Sequence, residues 1–300
     1  MRSSLKQSLE LQQAEIDIIL RYHPKGICAF DLEMTGLSPL FDKIIEIAAI
    51  KINPDGSTEN FYSLVNPLIE IPEHTIQYHG LNDEDLTDQP TLKKPLKEFS
   101  KFYDNLPLLA HNALYDASFL VRGHHEYNFN LSLSDVIDSC RFARVLYKHF
   151  LIKPDNYKLS TLAKYFEFDF THHQAMDDAI VCLKIYAQCL IIYTDKKVSQ
   201  KLKEMSFLFK LTSFKRSEEY ILPSKLKDLK EYVQKQTPID LKYKGGSMKG
   251  QFRPVTPISL LPLPQGLVLY ALCKKSDLNK YFLISKVKEI KKTVQPLNFA

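Results

Sequence analysis

The chain has 300 residues, 45% of them hydrophobic and 25% charged, which is the composition of a soluble globular protein with one large domain or two ordinary ones. No apolar stretch approaches the roughly 20 residues that cross a membrane, and the N-terminus lacks an apolar signal core, so we expect a cytoplasmic protein. The net charge of +5 conceals an asymmetry, because residues 1–190 hold 18 lysines and arginines against 26 acids, whereas residues 191–300 hold 22 against 9. The five cysteines are widely spaced without a C-x-x-C pair, which predicts free thiols.

The first 195 residues alternate between strand-like and helical patterns. Residues 4–21 predict an amphipathic helix that ends before Pro24, since proline interrupts helices. Apolar runs with short links predict an antiparallel meander of strands at 26–31, 44–52 and 59–65. Further helical patterns lie at 74–105, 116–122, 138–147, 159–166 and 177–194, with one short strand at 108–111. This order predicts a three-layer α/β domain with a mixed sheet.

The C-terminal third has a different character. Residues 195–236 are lysine-rich and helical in pattern, and they predict a basic connector. After Pro238, turn signals separate short strand-like runs at 240–243, 252–255, 267–272 and 280–284. Regularly spaced short strands predict a small β-barrel or curled sheet. The basic excess of this part predicts binding to a polyanion such as nucleic acid, and the alternative is an ordinary solvated lysine surface.

Four acids and one histidine lie beside apolar runs, and they are Asp31, Glu33, Asp116, Asp178 and His173. A buried carboxylate is costly unless it is paired or holds a cation, and converging carboxylates make a site for hard divalent cations. Asp31 and Glu33 stand two apart on a predicted strand, so both side chains point to the same face. His173 precedes Asp178 in a loop, where an imidazole can take a proton from water at neutral pH. Such a set has the chemistry of two-metal phosphodiester cleavage.

These motifs resemble the DEDD exonucleases of the histidine subtype, a family that includes the proofreading epsilon subunit of DNA polymerase III, ribonuclease T and oligoribonuclease. The motifs that carry the resemblance are Asp31-Leu32-Glu33, His111-Asn112-Ala113-Leu114-Tyr115-Asp116, and His173 to Asp178. The runs Ile44 to Ala48 and Ile71 to Leu81 also fit, and the resemblance covers about residues 25–192. It implies an α/β fold with a ribonuclease H-like mixed sheet flanked by helices.

The resemblance also implies a role for each residue. Asp31, Glu33, Asp116 and Asp178 would hold two Mg²⁺ or Mn²⁺ ions, and His173 would act as general base. The implied reaction is 3′–5′ exonucleolytic hydrolysis of DNA or RNA, which releases 5′-mononucleotides, most readily from single-stranded 3′ ends.

The third motif contains a second pair with the same interval, His172 and Asp177. Ala179 directly follows Asp178, and this alanine context fits the family better. We therefore assign the third-motif ligand to Asp178 and the base to His173.

Residues around the metal site are candidates for binding the terminal nucleotide. Met34 and Leu37 would pack on the base, and Thr35 would bond the ribose. The other candidates are His79, Asn112 and Phe119, for which ordinary packing is the alternative. The first motif resembles that of oligoribonuclease, whereas the second resembles that of epsilon or ribonuclease T, so the motifs leave DNA versus RNA open.

Residues 239–292 resemble a WYL domain, a small SH3-like β-barrel found in bacterial regulators. The matching runs are Leu241 to Tyr243, Arg253 to Pro257, Leu269 to Ala271 and Tyr281 to Val287, while Leu267-Val268-Leu269 stands where Trp-Tyr-Leu is expected. The resemblance implies a nucleic acid or nucleotide-like ligand, with candidate contacts at Tyr243, Arg253, Lys280 and Lys286. A structural or protein-docking barrel is the alternative.

The sequence thus predicts an N-terminal helix at 1–24, an exonuclease domain at 25–194, a helical basic connector at 195–236 and a WYL-like β domain at 237–300. The leading hypothesis is a metal-dependent 3′–5′ exonuclease whose basic C-terminal domain binds nucleic acid. The alternative is a nucleotide-responsive regulator in which the C-terminal domain senses a ligand and controls nuclease output. A polymerase or another protein as partner, and the oligomeric state, stay open.

Overall fold

The computed structural model describes residues 9–147, 153–168, 174–196, 202, 206–216, 219–246 and 248–293. The chain forms two compact units. The first unit contains residues 1–35 and 43–213, and the second contains residues 36–42 and 214–300. The chain therefore passes from the first unit to the second and back within the first 45 residues, a division that the local sequence patterns do not predict.

The first unit is built on a six-stranded mixed sheet in the order β3-β2-β1-β4-β5-β6. The β1/β2, β2/β3 and β5/β6 pairs are antiparallel, whereas β1/β4 and β4/β5 are parallel. The strands are β1 Ile27–Met34, β2 Ile44–Ile52, β3 Thr58–Leu64, β4 Leu108–Ala110, β5 Asp135–Asp138 and β6 Leu208–Lys210. The predicted meander and the predicted mixed α/β sheet are thereby confirmed.

Eight helices are described in the first unit. They are α1 Gln13–Tyr22, α2 Glu73–His79, α3 Asp83–Leu86, α4 Lys93–Tyr103, α5 Leu114–Glu126, α6 Ser139–Tyr147, α7 Leu159–Tyr165 and α8 Ala175–Asp195. The helical pattern at 74–105 is divided among α2, α3 and α4. Gly80 adopts a left-handed conformation with φ 73° and ends α2, and the Asn82 side chain accepts hydrogen bonds that begin α3.

Helix α8 runs through the core of the first unit, and most of its side chains are buried. One of them is charged: Lys184 is fully buried, and its Nζ donates to Glu15 Oε2 at 3.0 Å and to the Glu10 carbonyl at 2.9 Å. A buried ammonium requires such a partner, so this ion pair ties α1 to α8. All five cysteines are free and buried, as their spacing predicts. Among the described helices, none has the length and apolarity to span a bilayer.

The second unit contains helix α9, Leu229–Gln234, and a five-stranded antiparallel sheet in the order β10-β9-β8-β7-β11. Its strands are β7 Ile239–Tyr243, β8 Phe252–Leu263, β9 Gly266–Cys273, β10 Leu278–Leu283 and β11 Val287–Lys292. One face carries a core that includes Leu241, Leu269 and Phe282. The outer strands β10 and β11 do not pair in the described part of the chain, so a closed barrel is not found there.

The interval 195–236 differs most from its predicted helical character. In its described residues it contains the end of α8, the strand β6, short 3₁₀ turns and the six-residue helix α9. β6 is only three residues long, and it is defined by its antiparallel pairing with β5. Such a strand carries no periodic signal of its own, because a distant partner specifies it.

Candidate active site

Strand β1 presents Asp31 and Glu33 from the interior of the mixed sheet. It lies between β2 and β4, and side chains alternate along it, so these two carboxylates share a face while Leu32 is buried on the other. Asp31 stands opposite Ala48 of β2, and a register irregularity after Glu33 ends the regular pairing.

A third carboxylate reaches the same place from the first turn of α8. One carboxylate oxygen each from Asp31, Glu33 and Asp178 lies within 4.8 Å of the others. Asp178 is buried, whereas its neighbour Asp177 is half-buried and outside this group. Three converging carboxylates are a ligand set for a hard divalent cation. We call Asp31, Glu33 and Asp178, together with Asp116, the acidic cluster.

Asp116 lies in the first turn of α5, as its sequence context predicts, and it is 6% exposed. The backbone groups of Asp116 itself and of Leu32 partly offset the rise in the pKa of its carboxyl, which is consistent with a carboxylate beside β1. Its charge acts on both Asp31 and Glu33. The negative charges of the four predicted acids therefore repel one another.

Three carboxyls of the acidic cluster, those of Asp31, Glu33 and Asp116, have raised pKa values. Burial raises the pKa of Asp31 well above its ordinary value, and the charges of Asp116 and Asp178 raise it further. The pKa of Glu33 is raised to about 8, first by burial and then by Glu46, and burial raises the pKa of Asp116 to about 7. The charges that act most strongly on Asp31 are all carboxylates, so a divalent cation would relieve a repulsion present in the fold.

Two further acids border the cluster, and the sequence reasoning did not single them out. Glu46 of β2 pairs in register with Glu33 and is 7% exposed; burial raises its pKa, while a hydrogen bond with Tyr62 lowers it. Asp138 ends β5, is fully buried, and its Oδ2 lies 3.3 Å from Arg141 Nε. The available signal is the same in both cases: an acid within or directly after a short apolar strand.

The predicted base, His173, lies outside the described residues, and so does the neighbouring His172. The described chain resumes at Gln174, whose carbonyl accepts the Asp178 N–H at 2.9 Å in the first turn of α8. The position of the acid within the third motif is thus described, and the role of the histidine stays a prediction.

The residues predicted to bind the terminal nucleotide occupy different environments. Met34 is half-buried, Thr35 is buried with its Oγ1 accepting the Lys43 N–H, and Phe119 is 3% exposed within α5. Asn112 is exposed in the turn before α5, and His79 ends α2 with its Nδ1 accepting the Leu81 N–H. Leu37 is 46% exposed and belongs to the second unit. Met34 and Leu37 present accessible apolar surface, whereas Phe119 is packed inside.

The predicted C-terminal contacts divide into two groups. Tyr243 and Arg253 both lie against Phe282, with ring centroids 5.3 Å apart in the first case and the guanidinium carbon 5.6 Å from the ring in the second. Arg253 is 6% exposed, so its guanidinium is largely enclosed. Lys280 is half-buried, and Lys286 is exposed. The four residues therefore do not present one continuous exposed surface.

Asn112 gives a test of the local backbone in the second motif. Its φ is 61°, in the left-handed region that asparagine and glycine tolerate better than other residues. We expect Asn112→Ala to lower the free energy of unfolding by about 1 kcal/mol and Asn112→Gly to leave it within about 0.5 kcal/mol. Urea denaturation measures both, and equal stabilities for the alanine and glycine variants would contradict the assignment of strain.

Comparisons with known proteins identify the family of the chain. The exonuclease family described as RNase_T matches residues 28–186, so the chain belongs to this family. The chain is 32% identical over 192 residues to the PolC-type DNA polymerase III of Oceanobacillus iheyensis, and 35% identical over 162 residues to that of Caldanaerobacter subterraneus. These matches cover 64% and 54% of this chain, but only 13% and 11% of the polymerases, so the chain spans about an eighth of their length.

Solved structures show the likeness of the fold. Exonuclease I of E. coli, solved in complex with a dT13 oligonucleotide, is similar with a TM-score of 0.52 at 13% identity. The match covers 83% of this chain and 55% of the other. It is therefore longer than the first unit alone and includes residues of the second.

Proposed function

We propose that the protein is a metal-dependent 3′–5′ exonuclease that releases 5′-mononucleotides from DNA or RNA. The observation that carries this proposal is the convergence of Asp31, Glu33 and Asp178 within 4.8 Å, with Asp116 beside them, in a chain of the exonuclease family. Clustered carboxylates of this kind are retained when a cation neutralises them, and two-metal hydrolysis of a phosphodiester needs such a set.

The residues present fit divalent cations. The oxygen donors are the ligand type that Mg²⁺ and Mn²⁺ prefer, and burial together with neighbouring carboxylates raises the pKa of Asp31, Glu33 and Asp116, which supports a cation as the missing partner. Asp31, Glu33, Asp116 and Asp178 would hold two such ions. When bound, the ions would activate the attacking water and stabilise the developing charge at the scissile phosphate.

The protein groups would supply proton transfer and positioning. His173 would accept a proton from the attacking water, a role that its place before Asp178 in the third motif supports. Met34, Thr35 and Leu37, which follow the cluster along the chain, would contact the terminal nucleoside. His79, Asn112 and Phe119 would line or support the same place, Phe119 from its buried position in α5.

Single-stranded 3′ ends are the substrate that we propose. The oligonucleotide-bound structure of exonuclease I, a protein of similar fold, supports this choice, and the PolC-type relatives make DNA the substrate to test first. The same relatives support a polymerase as a candidate partner.

We also propose that the second unit binds nucleic acid as a WYL-like β domain with an open antiparallel sheet. The four matching runs lie on or begin in four of its five antiparallel strands, β7 to β10, and the basic excess of residues 191–300 supports phosphate contact. Lys286 and Lys280 are the more accessible candidates, while Tyr243 and Arg253 would support them from around Phe282. No observation on the described residues favours the regulatory alternative.

The proposal is tested with oligonucleotides labelled at either end. With Mg²⁺, a 5′-labelled single strand should shorten progressively, and a 3′-labelled strand should release its label as a mononucleotide at once. EDTA should abolish both signals, and a 3′-phosphorothioate linkage should slow them. The panel includes single-stranded and duplex DNA and RNA together with dinucleotides. Inactivity on every substrate, or internal cleavage without terminal release, would refute the proposal.

A further inference from the structure

Residues 36–42, which we call the motif loop, follow directly from the strand that carries Asp31 and Glu33. In the first unit, Thr35 and Lys43 close the two ends of this loop: the Thr35 N–H donates to the Lys43 carbonyl at 2.9 Å, and the Lys43 N–H donates to Thr35 Oγ1 at 3.0 Å. The seven residues between them belong to the second unit. The loop that follows the motif of Asp31 and Glu33 therefore belongs to the unit that contains the C-terminal sheet.

The C-terminal half of β8 offers the loop an unpaired edge. β8 pairs with β7 only as far as Val255, so on that side the residues beyond Val255 have no strand partner among the described residues. The pairing of β8 with β9 has a register irregularity between Pro257 and Ser259. Unpaired edge groups need other partners, and irregularities of this kind re-aim side chains.

Ser38 of the motif loop completes this edge. Its Oγ donates to the Leu260 carbonyl at 3.0 Å and accepts the Leu260 N–H at 3.2 Å, so one hydroxyl replaces a strand partner. Ser259 Oγ in turn donates to the Leu37 carbonyl at 2.6 Å. Ser38 is 1% exposed and its two hydrogen bonds with Leu260 are buried, so water is largely excluded from them, whereas the Ser259–Leu37 bond is part-buried.

Apolar packing holds the other half of the loop. Leu40 and Phe41 pack against the core of the second unit, and the Lys230 ammonium lies 5.2 Å from the Phe41 ring centroid. The turn itself is tight, because a Cβ on Gly36 would lie 2.6 Å from the Asp42 carboxylate, whose Oδ2 accepts the Ser38 N–H at 2.7 Å. The conformation of the loop is thus specified from outside the catalytic unit.

We propose that Ser259 and Leu260 of the C-terminal sheet are positioning residues for the terminal nucleotide, because they fix the motif loop through Leu37 and Ser38. This inference rests on the proposed exonuclease function, in which Leu37 packs on the terminal base. The C-terminal sheet then has a second role besides general affinity for a polyanion. Loosening the loop should weaken capture of the 3′ end and spare the acidic cluster, since the Thr35–Lys43 pair still closes the loop in the first unit.

Serine-to-alanine variants test this inference in the full-length protein. Ser259→Ala should raise KM for a short single-stranded oligonucleotide about five- to tenfold, the equivalent of one lost hydrogen bond, and Ser38→Ala, which loses two, should raise KM at least as much. Their kcat should stay within about twofold of the wild type, and their affinity for Mn²⁺ alone, measured by calorimetry, should not change. Hydrogen exchange should be faster in the peptide that covers residues 36–42.

Thr256→Val is the matched control. Thr256 lies on the same strand, and its buried hydroxyl has no hydrogen-bond partner among the described residues, so the substitution removes a β8 hydroxyl without touching the loop. It should keep the wild-type KM. A wild-type KM in both serine variants, or an equal rise in Thr256→Val, would overturn the inference while leaving the exonuclease proposal intact. Inactivity of the wild type itself would instead refute the proposed function, and the inference with it.

Discussion

Asp31→Asn is expected to reduce exonuclease turnover by more than about a hundredfold, beyond the effect of residues that merely support a metal ligand. The substitution keeps the size of the side chain and removes a carboxylate that converges with those of Glu33 and Asp178. The same change removes like-charge repulsion, because burial and neighbouring acids raise the pKa of Asp31. The metal-free variant should therefore melt at or above the wild-type temperature at neutral pH. Steady-state kinetics and circular dichroism melts measure the two quantities.

A paired control distinguishes the cluster from its surroundings. Asp178→Asn should lose activity as Asp31→Asn does, whereas Asp177→Asn, one residue earlier in α8, should keep most of it, since Asp177 is not among the converging carboxylates. The same comparison decides between the two His/Asp pairs of the third motif. Full activity in Asp31→Asn would show that the ligand assignment is wrong, and loss in Asp177→Asn alone would shift the third ligand to that residue.

The pairing of Asp31 with Glu33 could be predicted from the sequence because it follows from a local rule. Two residues two apart on a strand share a face, and the β-branched composition of the neighbouring runs indicates strands. The first-turn positions of Asp116 and Asp178 are equally local, because each follows a short loop and opens an apolar helix. No local pattern predicts that these three segments converge in space. That prediction came from the family resemblance alone.

The features that the sequence did not predict are specified by distant partners. β6 is a strand only because three residues pair with β5, and the lysine-rich composition around it favoured a helical interpretation. Residues 36–42 look like an ordinary turn after a motif, and nothing in Gly36 to Asp42 indicates that Ser38 completes the edge of β8 more than 200 residues later. Glu46 could not be predicted as a neighbour of the cluster, because its pairing with Glu33 depends on the register between β1 and β2.

Residues 36–42 belong to the second unit, and this determines how the C-terminal sheet should be studied. Truncation at residue 213 would remove Ser259, Leu260 and the core against which Leu40 and Phe41 pack. The loop after β1 would then expose apolar side chains in addition to losing its hydrogen bonds. Reduced activity of such a fragment would therefore mix lost polymer binding with a disturbed motif loop, whereas single serine substitutions separate the two.

The metal-free protein is expected to lose stability as the pH rises from about 5 to about 8. The folded-state pKa is about 8 for Glu33 and about 7 for Asp116, both above the ordinary values of 4.5 and 3.8. Between the ordinary and the raised pKa, the folded protein binds protons that the unfolded chain has released, so the free energy of unfolding falls with increasing pH. The contribution of these two carboxyls is fully present only below their ordinary pKa values of 4.5 and 3.8, where they are protonated in both states.

Divalent cations should reverse this trend, because they bind the deprotonated carboxylates of the folded state. Mn²⁺ or Mg²⁺ at about 100 times the dissociation constant should add about 2.7 kcal/mol at pH 8, or roughly 5–10 °C in melting temperature, and much less at pH 5, where protons compete for the ligands. Melting curves in EDTA and in Mn²⁺ across this range measure both effects.

Asp31→Asn should flatten the metal-free profile and reduce the response to Mn²⁺. Asp88→Asn, at an exposed acid outside the three motifs, should change neither. A metal-free melting temperature that stays constant or rises between pH 5 and pH 8 would show that the carboxylates do not repel one another in the fold, and would remove the electrostatic argument for the cation site.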